Sequence, residues 1–150
     1  MQKYLPQMLD EINKDPKSID AYKGNFLLKV IFAHSFLPNY KFILPEGEPP
    51  FKPADQPLGM TDTNLTVECK RFYNVFCKPE LKALRREALF IGLLEGVHPS
   101  EASILVAVKD QKLQKMYPKI THKLVSDAGF IPAPVEKEKK KNENSTSNKD

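Results

Sequence analysis

Apolar residues recur at helical spacing along the first third of the chain. Leu5, Met8, Leu9 and Ile12 fall on one face and predict an amphipathic helix over residues 3–14. The Asp-Pro pair that follows favours a second short helix, which ends at the next glycine. An asparagine then caps the segment FLLKVIFAHSF, whose apolar residues lie on most sides and predict a buried helix.

The same spacing returns after residue 60 and predicts one helix over about residues 62–77. Its apolar stripe consists of Leu65, Cys69, Phe72, Tyr73 and Phe76. We expect the proline at position 79 to end this helix and open the next one. In that next helix the stretch 88–94 is apolar all round, which is typical of a segment in the core.

Two further helices are predicted near the end of the patterned sequence. The run His-Pro-Ser-Glu at 98–101 is a helix start, with a proline and an acid in the first turn. Residues 104–108 resemble a strand by composition, but that start favours a helix. A Tyr-Pro pair opens another helix over residues 118–128, which ends at a glycine.

A proline-rich arm over residues 38–60 separates the two sets of helices. Six prolines within 38–57 exclude a long helix or a central strand. Tyr40, Phe42 and Phe51 alternate with those prolines, and we expect the arm to be ordered and extended across the helices. The aromatic residues could form a docking ridge for a partner, or they could complete the core.

Together these patterns predict an all-α fold, a compact bundle of five to seven short helices. Residues 1–132 are expected to form a single helical domain that the arm crosses. The segment 133–150 is rich in lysine, acids, asparagine and serine, and we expect it to be a disordered charged tail.

Composition changes this picture little. It does bear on the cellular compartment in which we expect the protein. The chain has 150 residues, of which 41% are hydrophobic and 28% charged, as in ordinary globular proteins. No apolar run approaches the ~20 residues of a membrane span, and no secretory signal is apparent. The two cysteines, Cys69 and Cys77, lie too far apart along one predicted helix for a disulfide. We expect free thiols in a reducing compartment.

Four segments resemble a small uncharacterised family from T4-like tailed bacteriophages, notably those that infect marine cyanobacteria. They are LPEGEPPFKP (44–53), KRFYNVF (70–76), RREALFIGLLEGVHPSEASILVAVKDQKL (85–113) and YPKITHKLVSDAGF (117–130). The resemblance implies a phage-encoded protein in the host cytoplasm, involved in host takeover, phage DNA metabolism or virion assembly. It brings no catalytic residues with it.

Positive charge is concentrated in the second half of the chain, and this suggests a binding face. The net charge is +4, and the first 60 residues are nearly balanced. The candidate residues for contact with a partner or with nucleic acid are Lys109, Lys112, Lys115, Lys119, His122, Lys123, Arg85 and Arg86. The alternatives are a solvated face, or pairing of the two arginines with Glu80, Glu87 or Glu95.

No catalytic, metal-binding or nucleotide-binding motif occurs in the sequence. The three histidines are far apart, and HExxH, CxxC and phosphate-binding glycine loops are missing. A Cys-His nucleophile would need a cysteine beside a histidine. We therefore expect no enzyme, no cofactor and no metal.

The expected function is a non-enzymatic protein-binding module. It acts as a phage accessory protein on an unknown protein of phage or host, without a membrane. The alternatives are a nucleic-acid-binding protein that uses residues 109–123, and a virion structural or assembly protein.

Overall fold

The computed structural model describes residues 3–132 of the chain. Within that part the structure contains eight α-helices and no strand, which confirms the all-α class. The helices are α1 (Leu5–Lys14), α2 (Phe26–Phe36), α3 (Leu65–Glu68), α4 (Phe72–Phe76), α5 (Ala83–Gly96), α6 (Pro99–Lys109), α7 (Leu113–Met116) and α8 (His122–Asp127). Three 3₁₀ helices accompany them, Pro16–Tyr22, Pro38–Tyr40 and Cys69–Arg71. The predicted disordered tail, 133–150, lies outside the described residues.

Helix α6 lies at the centre of the core. Helices α1, α2, α5 and α7 all pack against it. Its residues Ile104 and Leu105 are completely buried, as are Ile31 and Phe32 of α2. This burial agrees with the apolar character of both segments. Because α6 includes residues 104–108, the alternative of a strand there is excluded.

Side-chain caps explain where α2 and α6 begin. The Asn25 carboxamide oxygen accepts a hydrogen bond from the Leu28 amide at 3.0 Å. At α6, the His98 ring accepts from the Ser100 amide at 3.1 Å. The Glu101 side chain reaches back to the His98 amide, also at 3.1 Å, and completes a capping box. Both helix starts were predicted from these residues.

The predicted helix over residues 62–77 is instead three short pieces. Residues 69–71 form a tight 3₁₀ turn between α3 and α4. Each 3₁₀ residue turns about 120° rather than 100°, so three of them rotate the following residues by about 60°. Phe72 and Phe76 remain buried, whereas Tyr73 is turned outward and is exposed. The extra breaks, together with the single turn of α7, raise the number of helices above the predicted five to seven.

Two predicted helix starts lie several residues too early. Helix α5 begins at Ala83 rather than at Pro79, because the carbonyls of Lys78 and Leu81 turn toward the Arg86 side chain. Helix α8 begins after Thr121 rather than at residue 118. The Thr121 hydroxyl accepts from the Leu124 amide at 3.0 Å and so caps the helix. The segment Pro16–Tyr22, predicted as an ordinary helix, is a 3₁₀ helix.

The proline-rich arm contains no strand or α-helix, but it begins with the 3₁₀ helix Pro38–Tyr40 and turns at Gly47, and so is only partly extended. Backbone donors attach it to the helices. The amide of Ile43 donates to the Phe76 carbonyl at 2.7 Å. The amide of Lys52 donates to the Glu95 carboxylate at 2.9 Å. Among residues 3–132, no helix has both the length and the apolar character that crossing a bilayer requires.

Candidate functional site

The predicted basic residues do not form one face, because two of them are interior. Lys109 is 1% exposed and Arg86 is 4% exposed. Neither side chain is available to a phosphate, and the prediction that both belong to a binding face is wrong. Sequence spacing could not reveal this, since the groups that satisfy them come from distant segments.

Lys109 holds the turn of the arm against the end of α6. Its ammonium donates to the Pro45 carbonyl at 2.7 Å and to Asp110 Oδ1 at 2.5 Å. The other oxygen of Asp110 accepts from the Gly47 amide at 3.0 Å. Both side chains of this ion pair are nearly inaccessible. A buried pair with this many hydrogen bonds fixes the geometry of the arm.

Arg86 likewise holds the arm in place, at the beginning of α5. Its guanidinium donates to the carbonyls of Ile43, Lys78 and Leu81, at 3.2, 3.4 and 2.7 Å. Within residues 3–132 neither Arg85 nor Arg86 forms an ion pair with an acid, so the predicted pairing with glutamates is wrong. Arg86 thus connects the arm, the 77–82 loop and α5.

The remaining basic candidates lie outside the core and differ in their partners. Lys112 pairs with Glu46 at 2.7 Å and lowers the pKa of that carboxyl, and Lys123 pairs with Asp127 at 2.8 Å. The half-buried ring of His122 lies over Phe36. Of the predicted candidates, three are exposed and form no ion pair within residues 3–132: Arg85, Lys115 and Lys119.

The aromatic residues of the arm mainly complete the core. Phe42 is 2% exposed and stacks on Phe76 with 4.9 Å between ring centres, so its predicted place on a docking ridge is wrong. Phe51 is partly buried against the same core. Tyr40, also half-buried, packs against Tyr73 at 5.0 Å.

The structure brings one cysteine beside a histidine, the arrangement that a thiol nucleophile would need. Cys77 Sγ lies 3.5 Å from His34 Nδ1. That nitrogen is also 2.8 Å from the Tyr40 carbonyl, which can only accept, so Nδ1 carries the proton and cannot take one from the thiol. Burial lowers the pKa of His34 and raises the pKa of Cys77 to about 12. This contact does not activate the thiol.

Helix α5 exposes an apolar face that no other described element covers. Leu84 is 81% exposed, and Ala88 and Gly92 follow it at intervals of four residues, also exposed. Because residues four apart share one side of a helix, the three form a single stripe. The stretch 88–94 is therefore only partly in the core, contrary to its apolar pattern.

The α5 stripe (Leu84, Ala88, Gly92) stands between two shallow grooves. One groove, of about 280 Å³, separates α5 from α3 and α4, and its walls include Val75 and Leu89. The other, of about 340 Å³, separates α5 from the proline-rich arm. Ala88 and Gly92 themselves line the first groove, so Leu84 projects beside a shallow, partly apolar surface that another helix could cover. In the sequence, the stripe is visible only as apolar residues four positions apart. That these residues face solvent becomes clear only from the burial of Arg86 on the opposite side of α5.

These features lie in the part of the chain that a known family covers. Residues 11–115 match the Family of unknown function (DUF6433). The chain belongs to this family. Comparisons with curated proteins and with solved structures found no match.

The DUF6433 match contains the arm, α5, α6 and the buried ion pair at the end of α6. Lys119, His122 and Lys123 lie beyond it, together with α8. About half of residues 109–123, the segment predicted to contact nucleic acid, therefore lies outside the family match. Among residues 3–132, no group of three or more His, Cys, Asp or Glu side chains is arranged to hold a metal.

Proposed function

We propose that the protein is a non-enzymatic protein-binding module that acts through the α5 stripe, and that the partner seated there is a second copy of the chain. The observation that carries this proposal is the inversion on α5, where a leucine is 81% exposed while an arginine two residues later is buried. Covering a leucine side chain contributes about 1.5–3 kcal/mol, a substantial share of the free energy of association.

The small residues of the stripe permit a close approach between helices. Ala88 and Gly92 raise little side-chain bulk above the helix backbone, and an added Cβ at Gly92 would meet nothing within 4 Å. The backbone of a second helix could therefore approach α5 closely at Gly92.

The charges at the ends of the stripe favour an antiparallel second copy. Arg85 lies at the beginning of α5 and Glu95 near its end, and both are exposed. One Glu95 oxygen accepts from the Lys52 amide of the arm, which leaves the other oxygen for a partner. In an antiparallel pair centred between Ala88 and Gly92, Arg85 of each copy faces Glu95 of the other. A two-fold contact of this kind is self-complementary, and it places Ala88 against Gly92 twice.

The biological setting of the proposal comes from the phage resemblance. In this setting the protein is a phage accessory protein that acts in the cytoplasm of the infected host and contributes to host takeover or phage DNA metabolism. A virion structural or assembly role would use the same homotypic contact, and stoichiometric recovery from purified particles would favour that role. The nucleic-acid alternative has less support, since only Arg85, Lys115 and Lys119 remain as exposed candidates without an ion pair.

The test measures the mass of the full chain in solution by light scattering during size-exclusion chromatography, over a series of concentrations. We expect a concentration-dependent dimer for the natural chain and a monomer for Leu84→Asp. Met60→Asp is the matched control, because Met60 is 70% exposed on the arm and its loss should leave the dimer intact. A natural chain that stays monomeric throughout, or equal effects of the two variants, would overturn the proposal.

A further inference from the structure

A second, polar pocket of about 270 Å³ shares only Thr63 with the groove beside the α5 stripe. The start of α1, the segment before α3, α3 itself and the first turn of α6 surround it. Hydroxyl and carboxamide groups form its upper wall, namely Thr61, Thr63, Asn64 and Thr66. Three leucines, Leu5, Leu27 and Leu65, form an apolar side.

Glu101 lines this pocket and is 6% exposed. One of its carboxylate oxygens accepts from the His98 amide at 3.1 Å, as the capping box of α6 requires. Its other oxygen has no hydrogen-bond partner among residues 3–132, and no Lys or Arg pairs with it there. Burial raises the pKa of this carboxyl. A capping box needs only one oxygen and works equally with glutamine, so capping alone does not explain a buried charge.

Two close glycine contacts hold the walls of the pocket in place. A Cβ added at Gly59, whose φ is +88°, would lie 2.6 Å from the Tyr4 ring. A Cβ added at Gly96 would overlap the Thr63 hydroxyl, and the Thr63 amide donates to the Gly96 carbonyl at 2.8 Å. Any larger residue at either glycine would push Tyr4 or Thr63 out of position. Tyr4 and Thr63, two lining residues of the pocket, are thus closely packed from behind.

We propose that this pocket binds a small organic cation, with an ammonium or guanidinium group on the free oxygen of Glu101 and an apolar stem along the three leucines. This oxygen is not among the enclosed atoms that lack a partner, so it remains accessible, and a cation would supply it with a countercharge and a hydrogen-bond donor together. An anion would be repelled by Glu101, and a neutral ligand would leave its charge unpaired. Lys3 at the mouth does not compete, because its ammonium is held by Glu11 at 2.6 Å. The other titratable neighbours are Tyr4, on the wall, and His98, behind Glu101.

The test titrates the full chain with n-butylguanidinium and n-butylammonium, and with n-butanol as the neutral probe of similar size. Binding is followed by calorimetry and by amide chemical shifts. Glu101→Gln keeps the capping box and removes the charge, and Glu68→Gln is the control at a different groove. We expect both cations to bind the natural chain and the control. Their affinity for Glu101→Gln should fall at least about tenfold, the effect of losing one charge-assisted hydrogen bond.

Amide chemical-shift changes in the natural chain locate the bound cation directly, so this part of the test does not depend on the folding of a variant. Perturbed amides should cluster in residues 59–66 and 98–102. Three outcomes would overturn the proposal: no binding of either cation, butanol binding as well as the cations, or shifts that fall elsewhere on the chain.

Discussion

The two sides of α5 differ in which residues they bury: a charged side chain is buried on one side, and a leucine is exposed on the other. On the inner side the charged side chain of Arg86 is buried, and its guanidinium satisfies three backbone carbonyls. On the outer side Leu84 is almost fully exposed beside the small residues of the stripe. On the inner side only the Arg86 Nε lacks a partner among the buried side-chain atoms of the described residues, whereas the outer side has no cover at all. The proposed contact with a second copy rests on this difference.

The reason for the inversion lies in the backbone around α5. The arm and the 77–82 loop contain carbonyls that no helix or sheet can satisfy, and a buried arginine supplies several donors at once. Lys109 does the same for the turn at Pro45. Two basic residues of the second half, Arg86 and Lys109, therefore hold the chain together from inside, whereas the other basic candidates lie at the surface.

The largest expected effect comes from removing one partner of the buried ion pair. Asp110→Ala leaves the Lys109 ammonium buried without a countercharge and the Gly47 amide without an acceptor. We expect the free energy of unfolding to fall by about 3–5 kcal/mol, measured by urea denaturation. Lys112→Ala, which breaks an exposed pair on the same turn, is the control and should cost less than about 1 kcal/mol. Equal effects would contradict the assigned role of the pair.

A smaller loss is expected on the inner side of α5. Arg86→Met keeps an apolar stem and removes every donor to the three carbonyls, so we expect a loss of about 2–3 kcal/mol in the free energy of unfolding. The adjacent Arg85→Met should change stability by less than about 0.5 kcal/mol, because that side chain is exposed. If the two variants were equally stable, the distinction between the inner and outer sides would be lost.

Several elements could be predicted from sequence because their signals are local. The Asn25 cap and the His98–Glu101 start specify α2 and α6 within a few residues. The proline density around Phe42 likewise predicts an extended arm. These signals depend on neighbours in the chain, so no knowledge of the tertiary structure was needed.

The candidate sites could not be predicted, because their partners are distant in sequence. Burial of Arg86 depends on the Ile43 carbonyl, and burial of Lys109 depends on the Pro45 carbonyl. An apolar stretch such as 88–94 predicts the core, but pattern alone does not say which side the rest of the chain covers. The sequence places Glu101 in the first turn of a helix. Its position in the polar pocket depends on residues 59–66, which are distant in sequence.

The central claim, that the outer side of α5 pairs antiparallel with a second copy, is tested most directly by reversing charges across the contact. Sedimentation equilibrium would compare the natural chain with Arg85→Glu, Glu95→Arg and the double variant, each checked for folding by thermal melting. Each single variant places like charges opposite each other twice, and the dimer should weaken at least about tenfold. The double variant restores opposite charges, and its dimer should recover most of the lost affinity. A double variant no better than the single ones, or single variants that dimerise normally, would contradict the account.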